Sequence, residues 1–293
     1  MAKARAIAES FGVGVSFVDP ALPLHHSQVY QRASLADIVI LGRDCLGKAE
    51  VELCSNLQHV VKYGVGIDNI DTHALQHAGI SLHWRPGVNA RQVAELTIGL
   101  MISLLRNIRT TNMMMSQGKW LRSGGTDLGN KSVCLLGCGH VGEIVAKLLK
   151  AFGCDIYVVD VLDKSTLCES SGYRQVSLRE GLEICDILSI HVPLTDQTRG
   201  LIGLEELKLL GEEGYVFNTA RGEVLPLLDL KAALSGSLIK GAGLDVFDPE
   251  PFFDQELLGM KNFVATPHIG GGSLEAKLAM GFSALSYVEE ILI

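Results

Sequence analysis

Three stretches of this chain carry polar residues whose types and order suit chemistry. Asn218-Thr219-Ala220-Arg221-Gly222-Glu223 places an arginine just after a short apolar run. Gly243-Leu-Asp245-Val-Phe-Asp-Pro-Glu250-Pro251 follows the next apolar run with carboxylates, and Ala265-Thr-Pro-His268-Ile-Gly270-Gly271-Gly272 follows the last with a histidine. Runs of this kind read as strands, and open α/β sheets bind ligands beyond their strand ends. A guanidinium fork grips a carboxylate in two places. An imidazole with an ordinary pKa of about 6.5 moves protons near neutrality. Taken singly, each residue has a plainer reading: Arg221 in a surface ion pair, Glu250 as a solvated loop charge, His268 as a turn cap. His25, His26, His59, His73, His77 and His83 are read as doing nothing chemical.

A fourth stretch says what those residues would converge on. Ser132-Val-Cys-Leu-Leu is an apolar strand, Gly137-Cys-Gly139-His140-Val141-Gly142 a glycine-rich turn, and Glu143-Ile-Val-Ala-Lys-Leu-Leu the opening of a helix. The next strand, Ile156-Tyr-Val-Val, ends at Asp160, about 20 residues after the first glycine, which completes a dinucleotide-binding fingerprint. In that reading Gly137 permits the tight turn, Gly139 lets a pyrophosphate reach the backbone, and Gly142 lets helix and strand pack closely. The helix N-terminus supplies N–H groups and a positive dipole to the phosphates. Asp160 accepts from the adenosine ribose hydroxyls and repels a 2′-phosphate, and Val161-Leu162 put no arginine beside it. The expected cofactor is NAD.

The elements that must position these residues alternate along the whole chain. Val13–Val18, Ile38–Leu41 and Val60–Val61 read as strands, with helical patterns at Ser27–Leu35 and Ala49–Leu57. From Val88 to Arg109, Val93, Leu96, Leu100, Leu104 and Ile108 recur at helical spacing, which predicts one long helix between two bodies. Strand patterns follow at Ser132–Leu136, Asp155–Val159, Ile187–Ile190, Tyr215–Asn218, Ala242–Leu244 and Phe263–Thr266, with helical ones at Val141–Phe152, Leu204–Leu210, Leu227–Leu234 and Leu274–Ile293. Alternation of this kind predicts parallel strands with crossover helices, hence two doubly wound α/β domains, the second inserted in the first. The expected boundaries are 1–85 for the first part of a substrate domain, 86–269 for the nucleotide domain and 270–293 for a helix returning to the first.

Composition excludes several other classes. In 293 residues, 25 Lys and Arg stand against 33 Asp and Glu, a net charge of −8 that suits neither nucleic acid nor an anionic membrane surface. Mean hydropathy of +0.27 supplies material for a core and speaks against disorder. There is no apolar run of membrane-spanning length and no secretory h-region, so a cytoplasmic enzyme is expected. The 7 cysteines read as reduced core residues. No ligand partners follow Cys134 and Cys138 at metal spacing, so no metal is expected.

From about Leu57 to Tyr287 the chain resembles the D-isomer-specific 2-hydroxyacid dehydrogenases, and their phosphoglycerate dehydrogenase branch in particular. The likeness runs through Lys62-Tyr-Gly-Val-Gly-Ile-Asp-Asn-Ile-Asp71, Arg85-Pro-Gly-Val-Asn89, Val93-Ala-Glu95, Gly118-Lys-Trp120, the glycine-rich turn, His191-Val192-Pro193-Leu-Thr195, and the Arg221, Asp245, Glu250 and His268 segments. The resemblance implies a Rossmann NAD-binding domain inserted in a smaller flavodoxin-like substrate domain. It implies that His268 takes the 2-hydroxyl proton as hydride leaves C2, that Glu250 orients His268, and that Arg221 holds the substrate carboxylate. Asp245 matches a nicotinamide ligand, and His140, Val141, Val192, Pro193, Thr219, Ala220, Gly270 and Gly271 fall among cofactor contacts. Lys62, Val65 and Gly66 match the substrate cradle. Homodimers through the segment that includes Met113–Met115 and Trp120 are implied too.

The substrate expected from that branch is 3-phosphoglycerate with phosphohydroxypyruvate, with hydroxypyruvate or glyoxylate as the alternative; Arg43, Lys48, Lys62 and Arg85 are the candidate phosphate cations. A corepressor-like NADH sensor is the alternative of another class, separable by its lack of turnover. Formate dehydrogenases resemble this pattern with Gln where Glu250 stands. The departures are an opening without the usual strand before Val13, Leu225-Pro226 where an acidic pair is usual, Lys62 in place of Arg, and an end at Ile293 without a regulatory module.

Overall fold

The computed structural model describes residues 12–16, 30 and 33–293, which form two compact units. The first comprises Met1–Asn89 with Leu274–Ile293, the second Ala90–Ser273. In the first unit, strands β1 (Ile38–Leu41), β2 (His59–Lys62) and β3 (Ser81–His83) make a parallel sheet in that order. Helices α1 (Lys48–Leu53) and α2 (Thr72–His77) cross over between them. Asp71 caps α2 by accepting from the Ala74 N–H at 2.9 Å. Leu41, Leu46, Val51, Leu57, Val60, Ile70 and Leu75 fill this core. Val13–Ser16 are not in a strand, and Val18, like most of Ser27–Leu35, lies outside the described residues.

The second unit opens on α3 (Ala90–Leu105) and α4 (Ile108–Ser116). The single helix expected over Val88–Arg109 is thus two. Asn107 adopts a left-handed φ of 54°, and the Leu105 carbonyl accepts from the Thr126 N–H at 2.9 Å. The segment returning through Gly125 takes the place of the next helical turn; a Cβ at Gly125 would strike that carbonyl. Next come β4 (Ser132–Leu136), α5 (His140–Ala151), β5 (Asp155–Val159), α6 (Ser165–Ser171), β6 (Arg174–Gln175), α7 (Leu178–Ile184) and β7 (Ile187–Ile190). The unit continues with α8 (Leu204–Leu210), β8 (Tyr215–Asn218), α9 (Leu227–Ser235), β9 (Gly241–Leu244), α10 (Gln255–Gly259) and β10 (Phe263–Ala265). Helix α11 (Leu274–Leu292) belongs to the first unit again.

All seven strands of this sheet run parallel, in the order β10-β9-β8-β7-β4-β5-β6. The order reverses between β7 and β4, and a crevice opens at such a reversal. Alternate strand residues feed opposite faces. Val133, Leu135, Ile156, Val158 and Phe217 join α3 and α5 on one face, while Cys134, Leu136, Leu188, Val216 and Leu244 join α7 to α9 on the other. β9 reads Gly-Ala-Gly-Leu because α3 lies close on it: a Cβ at Gly243 would meet the Phe217 ring and Leu100.

Candidate active site

The glycine-rich turn joins β4 to α5 at the reversal point. Gly137 holds φ 92°, with the His191 carbonyl packed where a Cβ would stand, and a Cβ at Gly142 would collide with the Gly137 carbonyl. Gly139 differs: nothing lies within 4 Å of its Cβ position, so a side chain there would enter the space before the helix N-terminus. α5 seats through Gly142, Val145, Ala146 and Leu149, one stripe at helical spacing. Both Asp160 oxygens accept from backbone, Oδ2 from Cys138 N–H at 2.8 Å and Oδ1 from Leu162 N–H at 2.9 Å. Each oxygen keeps a second lone pair for a ribose hydroxyl. Cys138 is buried within the turn, where burial pushes its thiol up to about 11 and keeps it protonated. A dinucleotide therefore fits this turn: Gly139 leaves the approach clear, α5 supplies N–H groups, and Asp160 supplies acceptors.

His191 shapes the same turn from β7. Its imidazole shares a hydrogen bond of 2.8 Å with Ser189 Oγ through Nε2, and burial pushes its pKa down to about 3, so the ring stays neutral at physiological pH. Sequence reasoning placed Val192 and Pro193 among cofactor contacts and left His191 out, although its place at the end of a strand beside β4 is the signal for it.

The arginine, carboxylates and histidine sit beyond β8, β9 and β10. Asn218 is buried and makes the β8 exit turn: Oδ1 accepts from Ala220 N–H at 3.0 Å and Nδ2 donates to the Arg221 carbonyl at 2.8 Å. Thr219 shares a 2.8 Å hydrogen bond with Thr97 of α3, a buried residue with no signal in the sequence beyond its polar type in an apolar helix. Arg221 donates from its guanidinium to the Ala220 carbonyl at 2.7 Å. A Cβ at Gly222 would strike the Phe247 carbonyl, so the Arg221 turn and the Glu250 loop lie backbone to backbone.

Glu250 and His268 meet. His268 Nδ1 lies 2.8 Å from Glu250 Oε2 and 3.0 Å from Oε1, and the side chains are 36% and 33% exposed. The Phe247 N–H donates to Glu250 Oε1 at 3.1 Å, which steadies the carboxylate. With a carboxylate as acceptor, Nδ1 carries the hydrogen and Nε2 remains for proton exchange. His268 has a left-handed φ of 54°, a conformation costing about 1–2 kcal/mol outside glycine. Asp245, 1% exposed, holds it there. Its Oδ1 accepts from Thr266 Oγ1 at 2.6 Å and Ile269 N–H at 2.8 Å, and Oδ2 accepts from Gly270 N–H at 2.8 Å. Gly270 is needed here, because a Cβ would press on Asp245 Oδ2 and Val93. Gly271 follows, half-buried.

Residues 98–270 match the model of the D-isomer specific 2-hydroxyacid dehydrogenase NAD binding domain. Over 271 residues, 89% of this chain and 82% of the relative, it is 33% identical to a glyoxylate reductase of Thermococcus litoralis. The chain belongs to that family. It is an NAD-dependent oxidoreductase acting on CH–OH donors. It is also 33% identical to the D-3-phosphoglycerate dehydrogenase of Methanocaldococcus jannaschii, over 95% of this chain but 54% of that longer one. Among solved structures, the TT0316 protein of Thermus thermophilus superposes with a TM-score of 0.89 at 30% identity, covering 98% of this chain and 94% of that one. Among the described residues no group of His, Cys, Asp and Glu is arranged to hold a metal ion, and no helix is long and apolar enough to cross a membrane.

In the first unit, the segment after β2 makes a loop at Tyr63–Asn69. Gly64 turns it with φ 118°. Among the described residues no acceptor reaches the N–H groups of Val65 or Gly66. Lys62 is 7% exposed and turned into this unit, with Nζ donating to the Gly42 carbonyl and, at 2.8 Å, to Asn69 Oδ1. Arg85 lies 5.5 Å over the Tyr287 ring, and Lys48 pairs with Glu52 at 3.9 Å along exposed α1.

Proposed function

We propose that this dehydrogenase reduces a small unphosphorylated 2-oxo acid of the glyoxylate or hydroxypyruvate class, with Arg221, Glu250 and His268 as its working side chains. The observation that supports this most directly is the His268–Glu250 pair beyond the strand ends of the nucleotide-binding sheet. The nicotinamide cofactor, when bound, would supply hydride to C2 as NADH in reduction and accept it as NAD+ in oxidation. Its holders are Gly137, Gly139, His140, Val141, Gly142 and Asp160 at the first turn, with Val192, Pro193, Thr219, Ala220, Asp245, Gly270 and Gly271 along the crevice. Glu250 takes the Nδ1 hydrogen of His268 in a hydrogen bond, which turns Nε2 to the substrate oxygen. In reduction His268 gives that oxygen a proton as C2 receives hydride; in oxidation it takes the hydroxyl proton back. Arg221 binds the substrate carboxylate by its fork and draws electron density from the 2-oxo group. Within the first unit, the Val65 and Gly66 N–H groups are the candidate cradle for a carboxylate, as successive backbone N–H groups receive anions elsewhere.

The substrate reading rests on the candidate cations. Of the phosphate set read from the sequence, Lys62 is buried and bonded within its own unit and Arg85 lies over the Tyr287 ring, while Lys48, in a surface pair with Glu52, and Arg43 are exposed. The second reading, phosphohydroxypyruvate, is favoured by the phosphoglycerate dehydrogenase relative. Assay of NADH oxidation with glyoxylate, hydroxypyruvate, phosphohydroxypyruvate and pyruvate separates them. His268→Asn should lower the rate about 10²- to 10⁴-fold with NADH binding retained. Turnover of phosphohydroxypyruvate alone would reverse the choice of substrate. NADH binding without turnover of any of them would favour a sensor.

A homodimer through α4 and the segment up to Leu121 is part of the proposal. Ile108, Met113, Met115, Trp120 and Leu121 are all exposed there, a patch of the kind that marks an interface.

A further inference from the structure

We infer that Lys62 is a positioning residue that orders the Tyr63–Asn69 loop through Asn69, and is not itself a substrate ligand. This rests on the proposed role of Val65 and Gly66 as a carboxylate cradle. β2 ends at Lys62, and the chain must then leave the sheet and present those backbone N–H groups in one conformation. An N–H pair on a loose loop binds an anion poorly, because the loop must be ordered at the moment of binding.

The ordering is visible. The Lys62 ammonium bridges the Gly42 carbonyl, just after β1, and Asn69 Oδ1, at the far end of the loop. Asn69 Nδ2 donates to the same Gly42 carbonyl at 3.2 Å and to the Asp44 carbonyl at 2.5 Å. The Asn69 carbonyl accepts from Leu46 N–H at 2.8 Å, and the Leu46 carbonyl accepts from Asp71 N–H at 2.9 Å. The segments 42–46 and 62–71 are thereby stitched together, with Lys62 and Asn69 at the crossing. The lysine stem runs beside the turn itself: its Cε lies 3.8 Å from where a Gly64 Cβ would be. An ammonium is costly to bury and stays buried only where acceptors replace its water. Lysine suits the place because a single point donor on a flexible stem reaches acceptors on separate segments, where the planar guanidinium would need coplanar ones.

The test compares Lys62→Met and Asn69→Ala with the whole chain. Both should raise KM for glyoxylate and for phosphohydroxypyruvate by the same factor, about tenfold or more from the lost charged hydrogen bonds. kcat and NADH affinity should stay near their original values, and the double variant should lose little beyond either single one, as for partners in one network. A loss confined to phosphohydroxypyruvate would overturn the inference in favour of a direct phosphate ligand, and unchanged KM for both would make Lys62 a bystander. Hydrogen exchange at Tyr63–Asn69 keeps the question separate from that of the activity. Faster exchange in Lys62→Met supports the positioning role even if neither acid turns over, and unchanged exchange overturns it. Asn69→Ala leaves the lysine in place and serves if Lys62→Met fails to fold.

Discussion

Asp245 shows how one buried carboxylate decides the geometry of another residue's chemistry. His268 is held at φ 54°, and the three hydrogen bonds that Asp245 accepts from Thr266, Ile269 and Gly270 bracket it on both sides. Asp245→Asn turns an N–H₂ toward the Gly270 N–H, a donor against a donor. Leaving such a buried group unpaired costs about 1–3 kcal/mol. The expected outcome is a fall in kcat of about tenfold or more, since misplacing a catalytic group is expensive in rate. Steady-state kinetics with thermal unfolding checks this. A kcat left unchanged would mean the loop holds His268 without the carboxylate.

At the scale of elements, the packing of α11 on β2 and β3 carries a pH dependence. His59 Nδ1 on β2 lies 3.2 Å from His83 Nε2 on β3, with the Tyr287 ring of α11 beyond it at 5.7 Å. Burial, and then the neighbouring His59, lower the pKa of His83, while Glu290 on α11 acts the other way. A histidine whose folded pKa is depressed takes up protons more readily when unfolded. Stability is therefore full above the unfolded value, about 6.5, and falls as pH drops below it. Thermal unfolding at pH 7.5 and 5.5 should show the melting temperature lower at 5.5, a trend to which His191 also contributes, and His83→Leu should reduce that difference. An equal difference in the variant would place the effect elsewhere. Tyr287 also donates to the Trp84 carbonyl at 3.0 Å, so the same contact anchors the strand β3 exit.

At the scale of the whole molecule, the exposed apolar run of α4 and the segment after it carries the assembly prediction. Met115 and Trp120 are 58% and 80% exposed, more than an isolated surface would keep of such side chains in one segment. Sedimentation of the wild type should report a dimer, and Met115→Glu with Trp120→Glu should shift it to monomer while NADH binding persists. A wild type that sediments as a monomer would sink the proposal.

Much of the nucleotide-binding unit was legible in the sequence, because its signals are local. β4, β5, β7 and β8 appear where their apolar runs lie, the turn follows from glycine spacing, and Asp160 from its distance along the chain. Strand ends carrying Arg221, Glu250 and His268 were readable for the same reason. The brief elements β3, β6, α2, α6, α7 and α10 were not, being too short to show a period against their surroundings. Nor was the break at Asn107, which a returning segment imposes through the Leu105 carbonyl. Above all, the sequence supplied side chains without saying which way they turn. Lys62 reads as a cation for an anionic substrate, and the fold points it inward at Gly42 and Asn69. Asp245 reads as a cofactor ligand, and the fold also ties both its oxygens to the His268 loop. Direction and partner are set by segments far apart in the chain, so only tertiary packing decides them.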